Sequence, residues 1–75
     1  MTYDEIKTAV DAQLLAAMKR IKASGEPNEG DTQDFTVGGD TITFRCTRFQ
    51  NGPTDFLTFV WRQGDNQISF GKWHC

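Results

Sequence analysis

Three turn-forming dipeptides divide the second half of the chain and constrain how it can fold. Gly38-Gly39, Asn51-Gly52 and Asp65-Asn66 separate segments in which apolar and polar residues alternate. Such alternation is typical of half-buried β-strands, and Asn-Gly is the strongest short signal for a two-residue hairpin turn. The sequence therefore predicts consecutive hairpins built from four strands, over residues 34–37, 41–50, 54–63 and 67–73.

The three turns can be checked against one another, because directly opposed residues of an antiparallel pair lie on the same face of the sheet. Placing the turns at these dipeptides pairs Phe35 with Ile42 and Phe44 with Phe59. All three turns select the same inner face, and this agreement supports the strand assignment. The predicted inner face consists of Phe35, Val37, Ile42, Phe44, Cys46, Leu57, Phe59, Trp61, Ile68 and Phe70.

One amphipathic helix is predicted over residues 2–24. Thr2 and Glu5 form a capping box at its start, and Gly25 suits the left-handed conformation that ends a helix. The fold class is therefore α+β: one N-terminal helix packed on a four-stranded antiparallel meander in the order 1-2-3-4, as a single domain over residues 1–75. The apolar face of the helix consists of Ile6, Val10, Leu14, Ala17 and Ile21, at the spacing of helical turns.

A single helix can cover only one face of the sheet, so the other face is the candidate site. The predicted register places mostly Thr, Ser and Arg on that face, as in a solvated antiparallel sheet. Its apolar members are expected to form a patch beside two arginines. We predict that a partner binds there, through Phe56, Val60, Trp73, Arg45 and Arg62. Alternatively, these are ordinary exposed side chains, and Trp73 leans over Gly71 to support a glycine within a strand.

Acidic residues are concentrated between the helix and the sheet. The connecting loop is predicted over residues 25–33, and residues 25–41 contain five carboxylates and no basic group. A solvated loop explains this composition, and an acidic binding patch is the alternative. The patch would consist of Glu26, Glu29, Asp31, Asp34 and Asp40.

Residues with catalytic or metal-binding chemistry are few. The one histidine, His74, is penultimate, and Cys46 is predicted to face the core. We therefore predict no enzymatic activity, no metal and no cofactor. The N-terminal segment lacks the basic and apolar regions of a signal peptide, and no apolar run is long enough to span a membrane, so we expect a cytoplasmic protein. Whether Cys46 and Cys75 form a disulfide is left open.

Four functions are compatible with these features. The first is a protein–protein interaction module that acts as an inhibitor or adaptor by occluding a surface, of the kind that phages and mobile elements often encode. The second is nucleic-acid binding through the aromatic and arginine side chains of the sheet, although a net charge of −2 and a pI near 5.1 argue against it. The others are an acidic decoy of nucleic acid and a homodimer that buries two sheet faces against each other.

A helix across an antiparallel meander resembles the cystatin-type architecture. The nearest stretch to the Gln-x-Val-x-Gly hairpin of that family is "DFTVGG", residues 34–39, which lacks the glutamine. The strand that precedes the helix in cystatins is also not found, so no family is assigned.

Overall fold

The computed structural model describes residues 1–74, and for Asn51 the backbone alone. Its four strands form one antiparallel sheet in the order β1-β2-β3-β4, which confirms this part of the predicted fold. The elements in chain order are α1 (Tyr3–Asp11), α2 (Leu14–Ser24), β1 (Thr32–Val37), β2 (Asp40–Asn51), β3 (Thr54–Gln63) and β4 (Asn66–His74).

The predicted helical segment, residues 2–24, forms two helices where one was expected, and they are divided at Ala12 and Gln13. The backbone N–H of Gln13 donates to the Val10 carbonyl, three residues back, which is a tighter turn than that of an α-helix. The side-chain amide of Gln13 donates to the Ala9 carbonyl (3.1 Å) and to the Thr36 carbonyl of β1 (2.9 Å). A tertiary contact with the sheet therefore accompanies the division, and the local helical pattern contains no sign of it.

The predicted ends of the helical segment are confirmed. The Thr2 hydroxyl accepts the Glu5 N–H, and the Glu5 carboxylate accepts the Thr2 N–H, which completes the capping box. The hydrogen bonds that the Glu5 carboxylate accepts, first from the Thr2 backbone N–H and then from the Thr2 hydroxyl (3.0 Å), lower the pKa of Glu5. At the other end, Gly25 has a φ of 92° and donates its N–H to the Lys22 carbonyl.

The hairpin register differs from the predicted one by two residues at two of the three turns. Phe35 opposes Ile42 as predicted. The second and third turns, however, consist of Gly52-Pro53 and Gly64-Asp65, so Phe59 opposes Cys46 on β2 and Phe70 on β4. In both turns a glycine with positive φ (63° and 60°) takes the first central position. Since proline at the second position of the first of these turns requires negative φ, that turn is of type II′.

A register shift of two residues keeps every side chain on its predicted face. The inner face packs against the helices as expected, and Ile42 and Trp61 lie partly buried at its margin. The buried core consists of Ile6, Val10, Ala17, Ile21, Phe35, Val37, Phe44, Cys46, Leu57, Phe59, Ile68 and Phe70.

The end of β4 is where the prediction assigns the wrong face. Gly71 has a φ of 75°, and the β3–β4 pairing changes by one residue there, which is a β-bulge. Trp73 consequently opposes Leu57 rather than Thr58, and its ring packs edge-on against Phe59 with 5.8 Å between centroids. Trp73 therefore lies on the inner face, because a shift of one residue exchanges the two faces of a strand.

The outer face of the sheet, the one opposite the helices, is uncovered. The molecule measures 37 × 30 × 17 Å, and its smallest dimension accommodates one layer of helices, about 10–12 Å across, on one sheet. The helices also reach both edge strands: Gln13 binds the Thr36 carbonyl of β1, and the Tyr3 hydroxyl donates to the Gln67 carbonyl of β4 (3.0 Å).

Candidate functional site

A pair of phenylalanines lies on the outer face, near the Gly52-Pro53 turn. Phe49 of β2 and Phe56 of β3 oppose each other directly, and their rings lie 5.8 Å apart between centroids with an angle of 25° between their planes. Both side chains are half-buried. The sequence places both residues on this face, but the predicted register does not oppose them. The two-residue shift at Gly52-Pro53 creates the pair.

The predicted patch of three apolar residues is present only in part. Phe56 and Val60 lie on the outer face of β3, with the buried Thr58 between them. Trp73 does not join them, because the bulge turns it to the inner face. The alternative interpretation was that Trp73 leans over Gly71. It agrees with the structure in one respect, since the Trp73 ring does lie against Gly71.

Lys72 takes the place on the outer face that the prediction gave to Trp73. Its Nζ lies over the Phe56 ring, 4.6 Å from the centroid, in a cation–π contact. Strict alternation along β4 would place Lys72 on the inner face instead. The sequence signal for the change was Gly71 itself, since an isolated glycine inside a strand pattern often marks a bulge.

The outer face is positively charged. Arg45 opposes Val60, and Arg62 opposes Gln67, both exposed beyond the aromatic pair. Lys72 adds a third cation. On the described part of this face the one carboxylate is that of Asp34, which accepts a hydrogen bond from the Thr43 hydroxyl (2.8 Å).

A groove runs between the aromatic pair and β4. We call it the Phe56–Lys72 groove; its volume is about 570 Å³. Phe49, Phe56 and Lys72 line one part of it, and Ser69 another. Thr58 and Gly71 lie between these parts. At the bulge, position 71 directs no side chain toward this face, and its neighbour Thr58 is small.

The five predicted acidic-patch residues are exposed but belong to three parts of the fold. Glu26, Glu29 and Asp31 lie in the loop, Asp34 on the outer face of β1, and Asp40 at the start of β2. Two have local partners: Asp31 accepts the Asn28 N–H (2.9 Å), and Asp34 binds the Thr43 hydroxyl. These contacts stabilise a turn and a strand pair.

The β2–β3 hairpin also contains an ion pair. The Arg48 guanidinium binds Asp55 through Nε, at 2.9 and 3.0 Å from the two carboxylate oxygens, and through a terminal nitrogen. These hydrogen bonds lower the pKa of the Asp55 carboxyl. A carboxyl whose pKa is depressed by folding adds stability above its unfolded-state pKa, and that stability is lost as the pH falls through its folded-state pKa.

We therefore expect Asp55→Asn to make the free energy of unfolding depend less on pH in the acid range. Urea unfolding between pH 7 and pH 2.5 should show a larger loss of unfolding free energy in the unmodified protein than in the variant, mainly below the ordinary range of an aspartate. Asp65→Asn removes the same charge from the neighbouring hairpin and controls for net charge. Equal acid dependence in the unmodified protein and Asp55→Asn would contradict a stabilising role for the pair.

The described residues, 1–74, contain no further candidate site of a metal, membrane-spanning or thiol kind. Among residues 1–74 no three His, Cys, Asp or Glu side chains form a group that could hold a metal ion. Over the same residues, every helix is too short or too polar to cross a membrane. Cys46 is fully buried, and Cys75, the other half of the disulfide question, lies outside the described residues.

Comparison with known proteins identifies no relative: no family model, curated protein or solved structure matches the chain. The resemblance to the cystatin-type architecture therefore carries no argument about function.

Proposed function

We propose that the chain is a small, non-enzymatic protein-binding module whose outer face occludes a surface of another protein, as an inhibitor or adaptor does. We place it in the cytoplasm, among small binding proteins of the kind that phages and mobile elements encode. The observation that carries the proposal is the Phe49–Phe56 ring pair, half-buried on a face that neither helix covers.

The composition of the outer face supports this proposal. Aromatic residues are enriched at the centres of protein interfaces, where surrounding contacts exclude water. Here the ring pair has Lys72 over Phe56, with Thr47 and Ser69 on the same face and Arg45 and Arg62 farther along the strands. Apolar rings bordered by polar and charged side chains match the apolar and polar parts of a non-obligate interface.

The edges of the sheet are less suited to binding than its face. An added strand needs a row of unused backbone groups along an edge strand. Gln13 already occupies a carbonyl of β1 and Tyr3 one of β4, and the bulge at Gly71 interrupts the regular pairing geometry of β4. We therefore expect the partner to bind across the face.

Charge favours a foreign partner over a second copy. Arg45, Arg62 and Lys72 face outward with one carboxylate, Asp34, among the described residues of the face. Two copies meeting face to face would bring like charges together, which opposes association. An acidic surface on another protein would complement the same charges.

The proposal is tested first by site-specific photo-crosslinking. The protein carries benzoylphenylalanine at Val60 and is irradiated in the cells that make it; a second protein carries the same group at Leu15, which is 72% exposed on the helical side. We expect a protein adduct from position 60 and none from position 15. A nuclease-sensitive adduct, an adduct of two differently tagged copies, or the same adduct from both positions would contradict the proposal.

The captured partner then allows a quantitative test. We expect Phe49→Ser with Phe56→Ser to weaken binding by about thirty-fold or more, as the loss of a hot spot costs about 2 kcal/mol or more. Leu15→Ser removes an exposed apolar side chain from the opposite side and should leave the affinity unchanged. Circular dichroism and urea unfolding of both variants confirm that the fold is retained.

Single-stranded nucleic acid is the second candidate, and one observation favours it. The ring pair lies beside Lys72 on a face with three cations, and aromatic rings with neighbouring cations bind unpaired bases and phosphates. Fluorescence anisotropy with a labelled oligonucleotide should then show binding that weakens steeply between 50 and 200 mM salt. Binding that is undetectable or indifferent to salt would exclude this candidate.

A further inference from the structure

We propose that the Phe56–Lys72 groove is the anchor site of the interface and receives one aromatic side chain of the partner protein that lies next to a carboxylate. This inference rests on the proposed function and specifies the chemistry of the partner.

The groove suits a flat ring. Its volume of about 570 Å³ lies within the range of ligand pockets, about 300–1,000 Å³. Phe49 and Phe56 provide aromatic surface along one side. Gly71 contributes only backbone to the groove. The Cβ that it lacks would meet the Trp73 ring on the inner face, 2.4 Å away, so position 71 places no side chain where a ring would enter.

The polar group beneath the groove is already satisfied. Thr58 is 8% exposed, and its hydroxyl donates to the Phe70 carbonyl at 3.0 Å. A ring that covers Thr58 leaves this donor paired, so the usual penalty for burying an unsatisfied donor does not arise. Apolar contact can therefore contribute to binding without that opposing cost.

The charge of the groove selects an anion beside the ring. Lys72 bears the one charge among the described residues that line the groove. Its ammonium lies over Phe56, at the aromatic side, so a carboxylate that pairs with it would stand next to a ring lying in the groove. Arg45 and Arg62 extend the positive potential along the same face.

A protein side chain fits these features better than a nucleic-acid strand. A strand needs cations that follow its backbone through successive phosphates, whereas this groove has a single cation at one end and polar, uncharged Ser69 and Gln67 among its other residues. One aromatic residue next to an Asp or Glu needs only one ring site and one cation.

The test is an NMR titration with three matched small probes: N-acetyltryptophan, N-acetyltryptophanamide and acetate. The first has a ring and a carboxylate, the second a ring alone, and the third a carboxylate alone. We expect N-acetyltryptophan to shift the amide signals of Thr58, Ser69 and Gly71 saturably. It should bind about two- to five-fold tighter than the amide, the value of one exposed ion pair, and acetate should not saturate.

Two variants and a control locate the binding. Lys72→Gln should remove the preference for N-acetyltryptophan over its amide while ring binding remains. Ser69→Phe should fill the groove and weaken both ring probes at least ten-fold, whereas Thr36→Phe, on the outer face of β1, should leave them unchanged. Equal affinity for the two ring probes, shifts away from the groove, or no saturable shift would overturn the inference.

The outcomes separate this inference from the proposed function. A protein adduct from position 60 without probe binding leaves the proposed function standing and overturns the anchor site. Probe binding without any protein adduct overturns the proposed function. It also overturns the inference that a side chain of a partner protein occupies the groove.

Discussion

Gly71→Ala should destabilise the protein by about 2–5 kcal/mol. A left-handed conformation, such as the φ of 75° at this position, costs an L-residue about 1–2 kcal/mol, and forcing an extra methyl into a packed site costs about 1–3 kcal/mol. The new Cβ would meet the Trp73 ring at 2.4 and 2.5 Å. Urea unfolding followed by tryptophan fluorescence measures the loss, which is a large part of the roughly 4–11 kcal/mol expected for a chain of this length.

Gly64→Ala separates the two contributions. Gly64 has a φ of 60°, and nothing lies within 4 Å of the Cβ it lacks, so this substitution carries the conformational cost alone, about 1–2 kcal/mol. In a Trp73→Ala background, Gly71→Ala should cost no more than Gly64→Ala, because the ring that it meets is gone. Equally mild effects of Gly71→Ala and Gly64→Ala in the unmodified protein would contradict the packing of the Trp73 ring against Gly71.

The inner face of the sheet could be predicted from the sequence because it depends only on parity, that is, on whether a residue holds an odd or an even position along its strand. Phe59 was paired with Phe44 in the prediction and opposes Cys46 in the structure, yet both residues of β2 are buried. Any even shift of register gives the same inner face. The turns were misplaced because a glycine takes the first central position in each of the two turns, at Gly52 and Gly64.

Two features lay beyond a reading of local pattern. The division of the helix involves a hydrogen bond between Gln13 and the Thr36 carbonyl, residues that are far apart in the sequence. The bulge at Gly71 buries part of the Trp73 ring against Phe59 and exposes Lys72 in its place. Burial of a large aromatic side chain favours this exchange, but simple alternation along β4 gives the opposite assignment.

This difference also explains how much of the candidate site could be predicted. Phe56, Val60, Arg45 and Arg62 were placed on the outer face by parity, and the structure has them there. The groove was missed, because it exists only where Gly71 leaves the strand pattern. An error of one residue in register therefore matters little for the fold class and decides the chemistry of the proposed site.

Phe44→Ala should be the most damaging single truncation in the sheet. The Phe44 side chain is fully buried, and its ring lies 5.2 Å from that of Phe35, 5.3 Å from that of Phe70 and 6.5 Å from that of Trp61. Removing a buried phenylalanine ring costs about 3–5 kcal/mol, from lost burial and from the cavity that remains. We expect the urea midpoint to fall by about half or more.

Phe49→Ala is the matched control, since it is the same substitution on the same strand but on the opposite face. Phe49 is half-buried and stacks on Phe56, a cross-strand contact of about 0.2–1 kcal/mol, so its loss should leave most of the stability intact. An equal loss from both substitutions, measured over a hundredfold range of protein concentration, would contradict an uncovered outer face. A different result would be a loss of unfolding free energy from Phe49→Ala that grows with protein concentration. That result would mean that a second copy covers the outer face, because stability that depends on association rises with concentration.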